Sequence, residues 1–399
     1  MSTTNLSESL PAPNADFYMI TDCLSDTERE KLAEIREFAE KKANPLVNEY
    51  WAKDAFPFEL LPSFKELNIA GAGYTGYGCA GHGTLFAGFA AMEIARVDCS
   101  LATFFGVHSG LAMGSIFLCG SEEQKEHWLP QMARLEKIGS FGLTEPLIGS
   151  GASGGLLTTA KRDGDHWVLN GEKKWIGNAT WGHLTIIWAR DLDDSQVKGF
   201  IVENNTAGFR AEKIENKMAL RITQNAHIIM ENCIVSEANR LQNDNSFRDT
   251  ARVLRMTRSF VAWEAVGCMM GAYENALQYA QSRIQFGKPI AKFQLVQDLL
   301  VKMLGNITAS QTMCVRLSQI QDAGKLKDEH ASLAKAFCTV KMRECVGWAR
   351  EVLGANGILL EHNIGRFVAD AEAIYSYEGT REMNTLIVGK AITGFGAFV

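Results

Sequence analysis

The sequence predicts an α+β protein in three parts: a helical N-terminal domain, a middle antiparallel β-barrel or sandwich, and a C-terminal four-helix bundle. Three features predict it. Apolar residues recur at helical spacing through the first third, short β-rich segments with polar connections follow, and long helical-period runs fill the remainder. These changes of texture set the divisions at 1–138, 139–249 and 250–399. A chain of 399 residues is long for one domain and fits two or three.

Residues 1–20 read as an arm, disordered or loosely docked. The first helix opens on a capping box, Ser25-x-x-Glu28, with Leu32, Ile35, Phe38 and Ala39 following at helical spacing. Pro45 and Phe56-Pro57 interrupt that pattern. Gly71, Gly73, Gly76 and Gly78 form a loop before an apolar helix over Leu85 to Val97, and a long apolar run spans Leu101 to Cys119. Ser121 and Gln124 cap the next helix, which is expected to end near Pro130. From Ser140 the texture turns to strands. Trp167-Val168-Leu169, Asn170-Gly171 and Lys174-Trp175-Ile176 read as a hairpin on a type I′ turn. Thr185 to Ala189, Gly199 to Val202 and His227 to Met230 add strands whose spacing predicts a compact antiparallel barrel or sandwich. After Asp249, helical periodicity runs from Phe260 through Tyr279, from Leu295 through Ile320 and from Ala331 through Leu353, the pattern of an antiparallel bundle.

Composition narrows the function. A net charge of −6 supplies no basic stripe, so no nucleic-acid partner is expected. The 46% hydrophobic and 22% charged content is that of a soluble globular protein. The nine cysteines form no C-x-x-C and sit at no metal-ligand spacing with histidine, and their odd number argues against a full disulfide framework. Cys119, Cys268 and Cys338 lie in apolar runs and read as reduced core thiols. No H-E-x-x-H occurs, so no metal is expected. Met1 to Phe17 lacks the apolar core of a signal peptide and the arginines of a transit peptide. Phe260 to Ala280 carries Glu264 and Glu274, so no membrane span is expected there. The ending Ala397-Phe398-Val399 is not of the peroxisomal S-K-L type. The expected location is cytoplasmic.

Among candidate chemical groups, Glu378 stands out. It lies in Tyr377-Glu378-Gly379-Thr380, between the apolar Ala373, Ile374 and Tyr375 and a helix-like run from Met383 to Val388. Glycine beside it lets a ligand approach the backbone, and apolar surroundings raise a carboxyl toward the pKa of a useful general base. A lone glutamate more often caps a helix or faces solvent. Gly151-Ala152-Ser153-Gly154-Gly155 matches G-x-S-x-G, but a Pro- and Gly-rich loop precedes it where a nucleophile elbow needs a strand. Gly354-Ala355-Asn356-Gly357 is no dinucleotide fingerprint; it is expected to end a helix, with Gly357 left-handed. Arg283, at the end of a long helix before Gly287 and Pro289, suits a phosphate, although most arginines are merely solvated. Trp175-Ile176-Gly177 offers an aromatic plate beside open backbone for a flat ring, and a core tryptophan explains it more simply.

Five motifs occur in order. They are Phe141-Gly142-Leu143-Thr144-Glu145-Pro146 with Gly149-Ser150; Leu169-Asn170-Gly171-x-Lys173-x-Trp175-Ile176; Arg283-x-x-Phe286-Gly287-x-Pro289-Ile290-x-x-x-Gln294; Leu353-Gly354-x-Asn356-Gly357; and Tyr377-Glu378-Gly379-Thr380. Together they resemble the acyl-CoA dehydrogenase family over nearly the whole chain. The resemblance implies FAD, an acyl-CoA substrate, a homotetramer, and an electron-transfer flavoprotein or oxygen as acceptor. Phe141, Leu143 and Thr144, with Trp175, Ile176 and Gly177, match positions that face the flavin ring. Arg283, Phe286 and Gln294, with Gly354 and Gly357, resemble the part that holds the FAD phosphates and adenosine across a subunit contact. Thr380 and Glu382 would also touch FAD. Ser150, a cofactor and substrate position, and Arg258, Tyr377 and Gly379 match the thioester side. Glu378 takes the role of the base that removes the α-proton while the β-hydrogen leaves as hydride. Some family members carry the base one residue before the arginine matching Arg258; Thr257 stands there, which leaves Glu378 as the sole candidate.

Two departures from the family pattern matter. Gly151 stands where Asp usually follows Gly-Ser, and Gly177 stands where Thr or Ser usually follows Trp-Ile, removing a hydrogen bond that tunes the flavin toward or away from oxygen. The glutaryl-CoA dehydrogenase and plant-type short-chain acyl-CoA oxidase branches resemble this chain most, through Gly389-Lys390-Ala391-Ile392-Thr393-Gly394. The glutaryl branch holds a distal carboxylate with an arginine where this chain has Ala102, near Phe104 and Phe105. A dicarboxylate would leave a buried charge unpaired, at a cost of several kcal/mol. The expected acyl chain is therefore uncharged and short to medium. Gly106-Val107-His108-Ser109-Gly110 and Leu118-Cys119-Gly120-Ser121-Glu122 look like the oxidase branch, whereas the missing peroxisomal tail argues for a bacterial-type cytoplasmic dehydrogenase. Trp263 either shortens the acyl tunnel or fills the bundle core. The rival reading from another class is a protein that binds FAD or acyl-CoA without turnover, and the presence of Glu378 argues against it.

Overall fold

The structure, a computed structural model, describes residues 10–397. The expected N-terminal arm lies partly outside the described residues. Its remainder is docked: Ala15 N–H donates to Glu274 and Gln281 donates to the Pro11 carbonyl. Seven helices follow: α1 (Asp26–Phe38), α2 (Asn44–Lys53), α3 (Leu61–Leu67), α4 (Gly83–Val97), α5 (Cys99–Phe105), α6 (Met113–Cys119) and α7 (Glu122–Ala133). Both expected capping boxes form, with Ser25 and Ser121 each accepting from the N–H three residues on at 3.3 Å. The last of these helices runs past Pro130 to Ala133, because its buried face of Trp128, Leu129, Met132 and Ala133 outweighs the one hydrogen bond a proline forfeits. Cys99–Cys119 is apolar and long enough to cross a membrane, yet 67% of its most apolar window is buried inside the protein. It is a core segment, α5 and α6 joined by the wider π-helical stretch Gly106–Ala112.

The middle of the chain makes one seven-stranded sheet: β1 (Gly139–Gly142), β2 (Thr159–Asp163), β3 (His166–Gly177), β4 (Leu184–Asp191), β5 (Val197–Glu203), β6 (Phe209–Lys213) and β7 (Asn225–Ser236). A short helix, α8 (Ala152–Gly155), lies in the loop before β2. The sheet is mixed rather than antiparallel throughout. Strands β1 and β2 lie end to end along one edge of β4 and both run parallel to it, while β5 pairs antiparallel on the other edge. The loop between β1 and β2 carries the chain onward along that edge without reversing it. The expected turn at Asn170-Gly171 is instead a bulge inside β3, where Gly171 (φ 135°) lies so close to Thr158 that a Cβ would come within 2.7 Å of its Cα. The hairpin turn is Gly164-Asp165, closed by the Asp163–His166 pair.

The remaining helices are α9 (Phe247–Ser282), α10 (Gln294–Asp322), α11 (Asp328–Leu353), α12 (Ile364–Ser376) and α13 (Arg381–Thr393). A small hairpin, β8 (Ile284–Gln285) with β9 (Lys288–Pro289), links α9 to α10. Helix α9 packs against α4, α10, α11 and α12. Its contact with α4 is backbone to backbone: a Cβ at Gly267 would lie 2.2 Å from the Met92 carbonyl oxygen, and one at Gly271 would lie 2.1 Å from that of Arg96. At the end of α11 the left-handed residue is Gly354 (φ 56°), not Gly357, which is buried against Arg350 in a following 3₁₀ turn.

Buried polar groups tie the three regions together. The Asp370 carboxylate accepts from Trp51 on α2 at 3.2 Å, from Ser100 on α5 at 3.3 Å and from Leu220 N–H in the loop before β7 at 2.6 Å. Nearby, Arg366 on α12 pairs with Asp98 at 2.5 Å, and Asp98 also caps α5.

His108, in the π-helical stretch, uses both ring nitrogens. Nε2–H donates to the Met132 carbonyl and Nδ1 accepts from Gly139 N–H, each at 3.0 Å, which ties the start of β1 to the helices. Burial pulls its pKa down to about 4, so the fold holds it neutral. The unfolded chain takes this proton at about pH 6.5, so the stabilisation is full above that pH and is lost as pH falls toward 4. Between pH 7 and pH 4.5 the expected loss is about 2.5 kcal/mol. His108→Gln should remove this part of the pH dependence, and urea midpoints of both proteins at the two pH values check it.

Candidate active site

Glu378 lies in the four-residue link between α12 and α13. Tyr377 is extended, Glu378 (φ 52°) and Gly379 (φ 85°) are both left-handed, and Thr380 caps α13 by accepting from Met383 N–H. A left-handed glutamate is strained, and such strain persists only where the surroundings over-determine it. The ties here are several. Buried Lys335 on α11 donates to the Tyr375 and Gly379 carbonyls at 2.7 and 2.8 Å, and Asn384 donates to the Gly379 and Thr380 carbonyls at 2.9 and 3.0 Å. The Tyr377 hydroxyl donates to Glu264 on α9, which also accepts from Thr103 at 2.6 Å.

The Glu378 carboxylate is half-buried and accepts from the Thr257 hydroxyl at 2.5 Å. Burial raises its pKa above the ordinary carboxyl range, while Thr257, Arg258 and Lys335 pull the other way without cancelling the rise. Glu264 behind it is pushed up to about 8 by burial, against its hydrogen bonds from Thr103 and Tyr377. It is therefore neutral at pH 7 and adds no negative charge beside Glu378. Arg258 is held below its usual pKa by burial, and its Nε is buried with no hydrogen-bond partner.

Thr257 also lines a cavity of about 70 Å³ between α4, the π-helical stretch and α9. Tyr74, Phe105, Phe260 and Trp263 form much of its wall, and no charged side chain lines it. Trp263 lies across Gly88, where a Cβ would come 2.2 Å from its Nε1, and that nitrogen donates to Ser318 at 3.0 Å. The indole is thus fixed as a wall of the cavity as well as a part of the core.

Two further groups of the sequence-derived residues gather elsewhere. Phe141 lies in β1, and Leu143 and Thr144 continue from its end; the Thr144 carbonyl accepts from Lys174 N–H at 2.8 Å, which brings Trp175, Ile176 and Gly177 alongside. A second bulge in β3 turns Trp175 out at φ 68°, leaving it 55% exposed. Beneath this region the buried pair Lys173–Glu145, at 2.9 Å, holds the Leu143 carbonyl and the N–H groups of Leu157 and Thr158. Gly177 is buried, and a Cβ there would meet Val107 at 3.3 Å, so a larger side chain is crowded. Ser150 is exposed in the loop after β1, next to Gly151. The match to a nucleophile elbow fails on geometry, since Ser153 sits in α8 with a loop before it.

The other group lies at the far end of α9. Arg283 caps that helix, Phe286 (91% exposed) and Gly287 form the tip of the β8–β9 hairpin, and Gln294 begins α10. Asn356 donates to the Tyr279 hydroxyl at 2.9 Å, drawing the Gly354–Gly357 turn to the same end. From Thr257 to Arg283 the helix rises about 39 Å. Glu378 and Arg283 of one chain therefore do not share a site. Thr380 and Glu382 follow Glu378 closely, with Glu382 exposed on the first turn of α13. Sequence reasoning did not pick out Lys335, Glu264, Thr103 or the Lys173–Glu145 pair. Among the described residues no three His, Cys, Asp or Glu side chains gather as a metal site.

Comparison with known proteins bears on this arrangement. Three family models match consecutive stretches: the acyl-CoA dehydrogenase N-terminal domain over 25–136, the middle domain over 140–233 and the C-terminal domain over 247–393. An acyl-CoA dehydrogenase of Bacillus subtilis is 31% identical over 90% of this chain and 96% of its own. Glutaryl-CoA dehydrogenase from Mycobacterium smegmatis, in complex with FADH2, superposes with a TM-score of 0.94 at 33% identity, covering 98% of this chain and all of that one. Butyryl-CoA dehydrogenase from Megasphaera elsdenii superposes with a TM-score of 0.88 at 30% identity, over 92% of this chain and 98% of that one.

The strained backbone at Glu378 has a measurable cost. Glu378→Gly relieves the left-handed strain and the burial of a carboxyl, and should stabilise the protein by about 1 kcal/mol despite the loss of the Thr257 bond. Equilibrium urea unfolding of the two proteins checks the sign.

Proposed function

The chain belongs to the acyl-CoA dehydrogenase family, and we propose that it oxidises an uncharged short- to medium-chain acyl-CoA to the trans-2-enoyl thioester with Glu378 as the base. One observation carries this reading: a carboxyl of raised pKa, held on a strained and well-tied turn, shares Thr257 with a cavity that has no charged wall. A distal carboxylate would find no counter-charge there, and Trp263 on Gly88 limits the depth. The likeness to glutaryl-CoA dehydrogenase in fold thus does not extend, on this reading, to its acid substrate.

The protein is an FAD-dependent oxidoreductase, and its residues fit that group. The exposed Trp175 indole and the partly exposed Thr144, beside Phe141 and the strand end at Ile176 and Gly177, suit a flat polar ring system. Bound FAD supplies the acceptor for the β-hydride. Glu378 takes the α-proton, and its backbone N–H polarises the thioester carbonyl; a preorganised donor of this kind contributes about 3 kcal/mol. Ser150 and Arg258, with Tyr377 and Gly379, hold the thioester end. The phosphate and adenosine end needs Arg283, Phe286, Gln294 and the Gly354–Gly357 turn, which the length of α9 puts beyond reach of the same chain's base. A second copy supplies them in this reading. Exposed Ile284, Phe286, Leu295 and Ile358 give that end an apolar surface suited to self-association. The three-part division at 138 and 249, a cytoplasmic location and an electron-transfer flavoprotein as acceptor belong to the same reading. Gly177 stands where the family pattern usually has Thr or Ser, a change that bears on oxygen reactivity and keeps an oxidase as the second reading.

Purified protein mixed anaerobically with butyryl-CoA should lose its flavin absorbance at about 450 nm, whereas glutaryl-CoA should leave it unchanged. Glu378→Gln should slow the bleaching about 1,000-fold. Bleaching by glutaryl-CoA alone would overturn the uncharged-chain reading, and rapid return of colour in air would favour the oxidase. Light scattering should give the mass of four chains; a monomer that retains flavin and turns over would remove the shared site.

A further inference from the structure

We infer that Lys335 is a positioning residue for the base, its buried ammonium fastening both ends of the turn that carries Glu378 and adding, after Arg258, to the positive charge the carboxylate feels. This rests on the reading of Glu378 as the base. Lys335 is 0% exposed, and its Nζ donates to two backbone carbonyls, Tyr375 and Gly379, that bracket Glu378 in sequence. Tyr375 belongs to the last turn of α12, so the ammonium also satisfies a helix-end carbonyl where a positive charge is favoured. No carboxylate among the described residues pairs with it within 4.0 Å. An unpaired buried ammonium is an expensive way to tie a loop if only the tie is wanted.

The charges around it give it a second role. Glu378 is the foremost charge acting on Lys335, followed by Arg258 from α9 and Glu382 from α13. Glu378 in turn faces the Thr257 hydroxyl and Arg258 from α9 and Lys335 from α11, with Glu264 lying behind through Tyr377. Burial brings the Lys335 ammonium down to about 8, so it is charged at neutral pH. Arg258 lies at the thioester side in the proposed function, whereas Lys335 touches only protein. The lysine therefore acts through Glu378 and through the turn's geometry.

The test compares wild type with Lys335→Gln, Lys335→Met and Lys335→Arg as flavin-loaded proteins. Anaerobic bleaching by butyryl-CoA is followed against pH, with Glu378→Gln run alongside. Glutamine keeps a donor without the charge, methionine keeps only the length, and arginine keeps the charge. For Gln and Met the rise of rate with pH should move up by about one pH unit, as expected when a nearby opposite charge is lost. Met should also lower the plateau about 10- to 100-fold through misplacement of the turn. Arg should restore the wild-type midpoint. A merely structural lysine would change stability while leaving the midpoint in place, so a Gln profile that overlays wild type overturns the inference. Should Met fail to fold, the Gln and Arg profiles decide. If Glu378→Gln bleaches at the wild-type rate, the base reading itself falls; if it is inactive while the Lys335 variants keep the wild-type midpoint, only the role of Lys335 falls.

Discussion

The close crossing of α4 and α9 is the constraint on which the site depends. Gly88, Met92 and Arg96 on one helix meet Trp263, Gly267 and Gly271 on the other, in equal steps of four residues. Two glycines on α9 let backbone meet backbone, and one on α4 makes room for an indole. A methyl group at either α9 glycine would push the helices apart, because carbonyl oxygens cannot yield as a side-chain end can. That spacing fixes the rotation of α9. With it are fixed the Trp263 wall, the Thr257 hydroxyl between cavity and carboxylate, and Glu264 one helical turn beyond Phe260. The cavity beside Thr257 is thus a by-product of how tightly two helices pack.

Electrostatics at Glu378 are a balance held on one side. Removal from water dominates and lifts the carboxyl, while a hydroxyl and two cations restrain the rise. A second acid immediately behind would ordinarily complicate this balance. Here burial keeps Glu264 protonated at neutral pH, so it serves Tyr377 and Thr103 as a hydrogen-bonding group rather than as a charge. Both carboxyl groups are lifted by burial, and each is held back by its own hydrogen-bond donors, Thr103 and Tyr377 for Glu264 and Thr257 for Glu378.

Much of the fold was legible because hydrophobic period is a local property. The runs at Leu85, Leu101, Phe260, Leu295 and Ala331 all became helices, and Ser25 and Ser121 cap as their spacing demands. Pairing direction is not local. Nothing in residues 143–158 says that β2 will continue along the β4 edge that β1 began, and Asn170-Gly171 has turn chemistry although Thr158 makes it a bulge. Gly354 and Gly357 exchanged roles for a similar reason, since contact with Arg350 decides which one must be small. For the site, Glu378 was visible through its short motif. Lys335 was not, because nothing nearby in sequence separates it from a surface lysine, and its partners lie forty and more residues away. Glu264 was noticed only as a charge in an apolar helix; its burial against Thr103 is a tertiary fact.

The Asp370 carboxylate has a consequence for how the protein is made. Its partners are Trp51, Ser100 and Leu220, separated from it by 319, 270 and 150 residues. It serves the Leu220 N–H and the Trp51 indole together, and it follows all three partners in the chain. The N-terminal helices and the sheet can form earlier, but their mutual docking waits for α12. A chain that has not yet reached residue 370 leaves the Leu220 N–H and the Trp51 indole without this partner, so the junction between the N-terminal helices and the sheet closes only once α12 has been made.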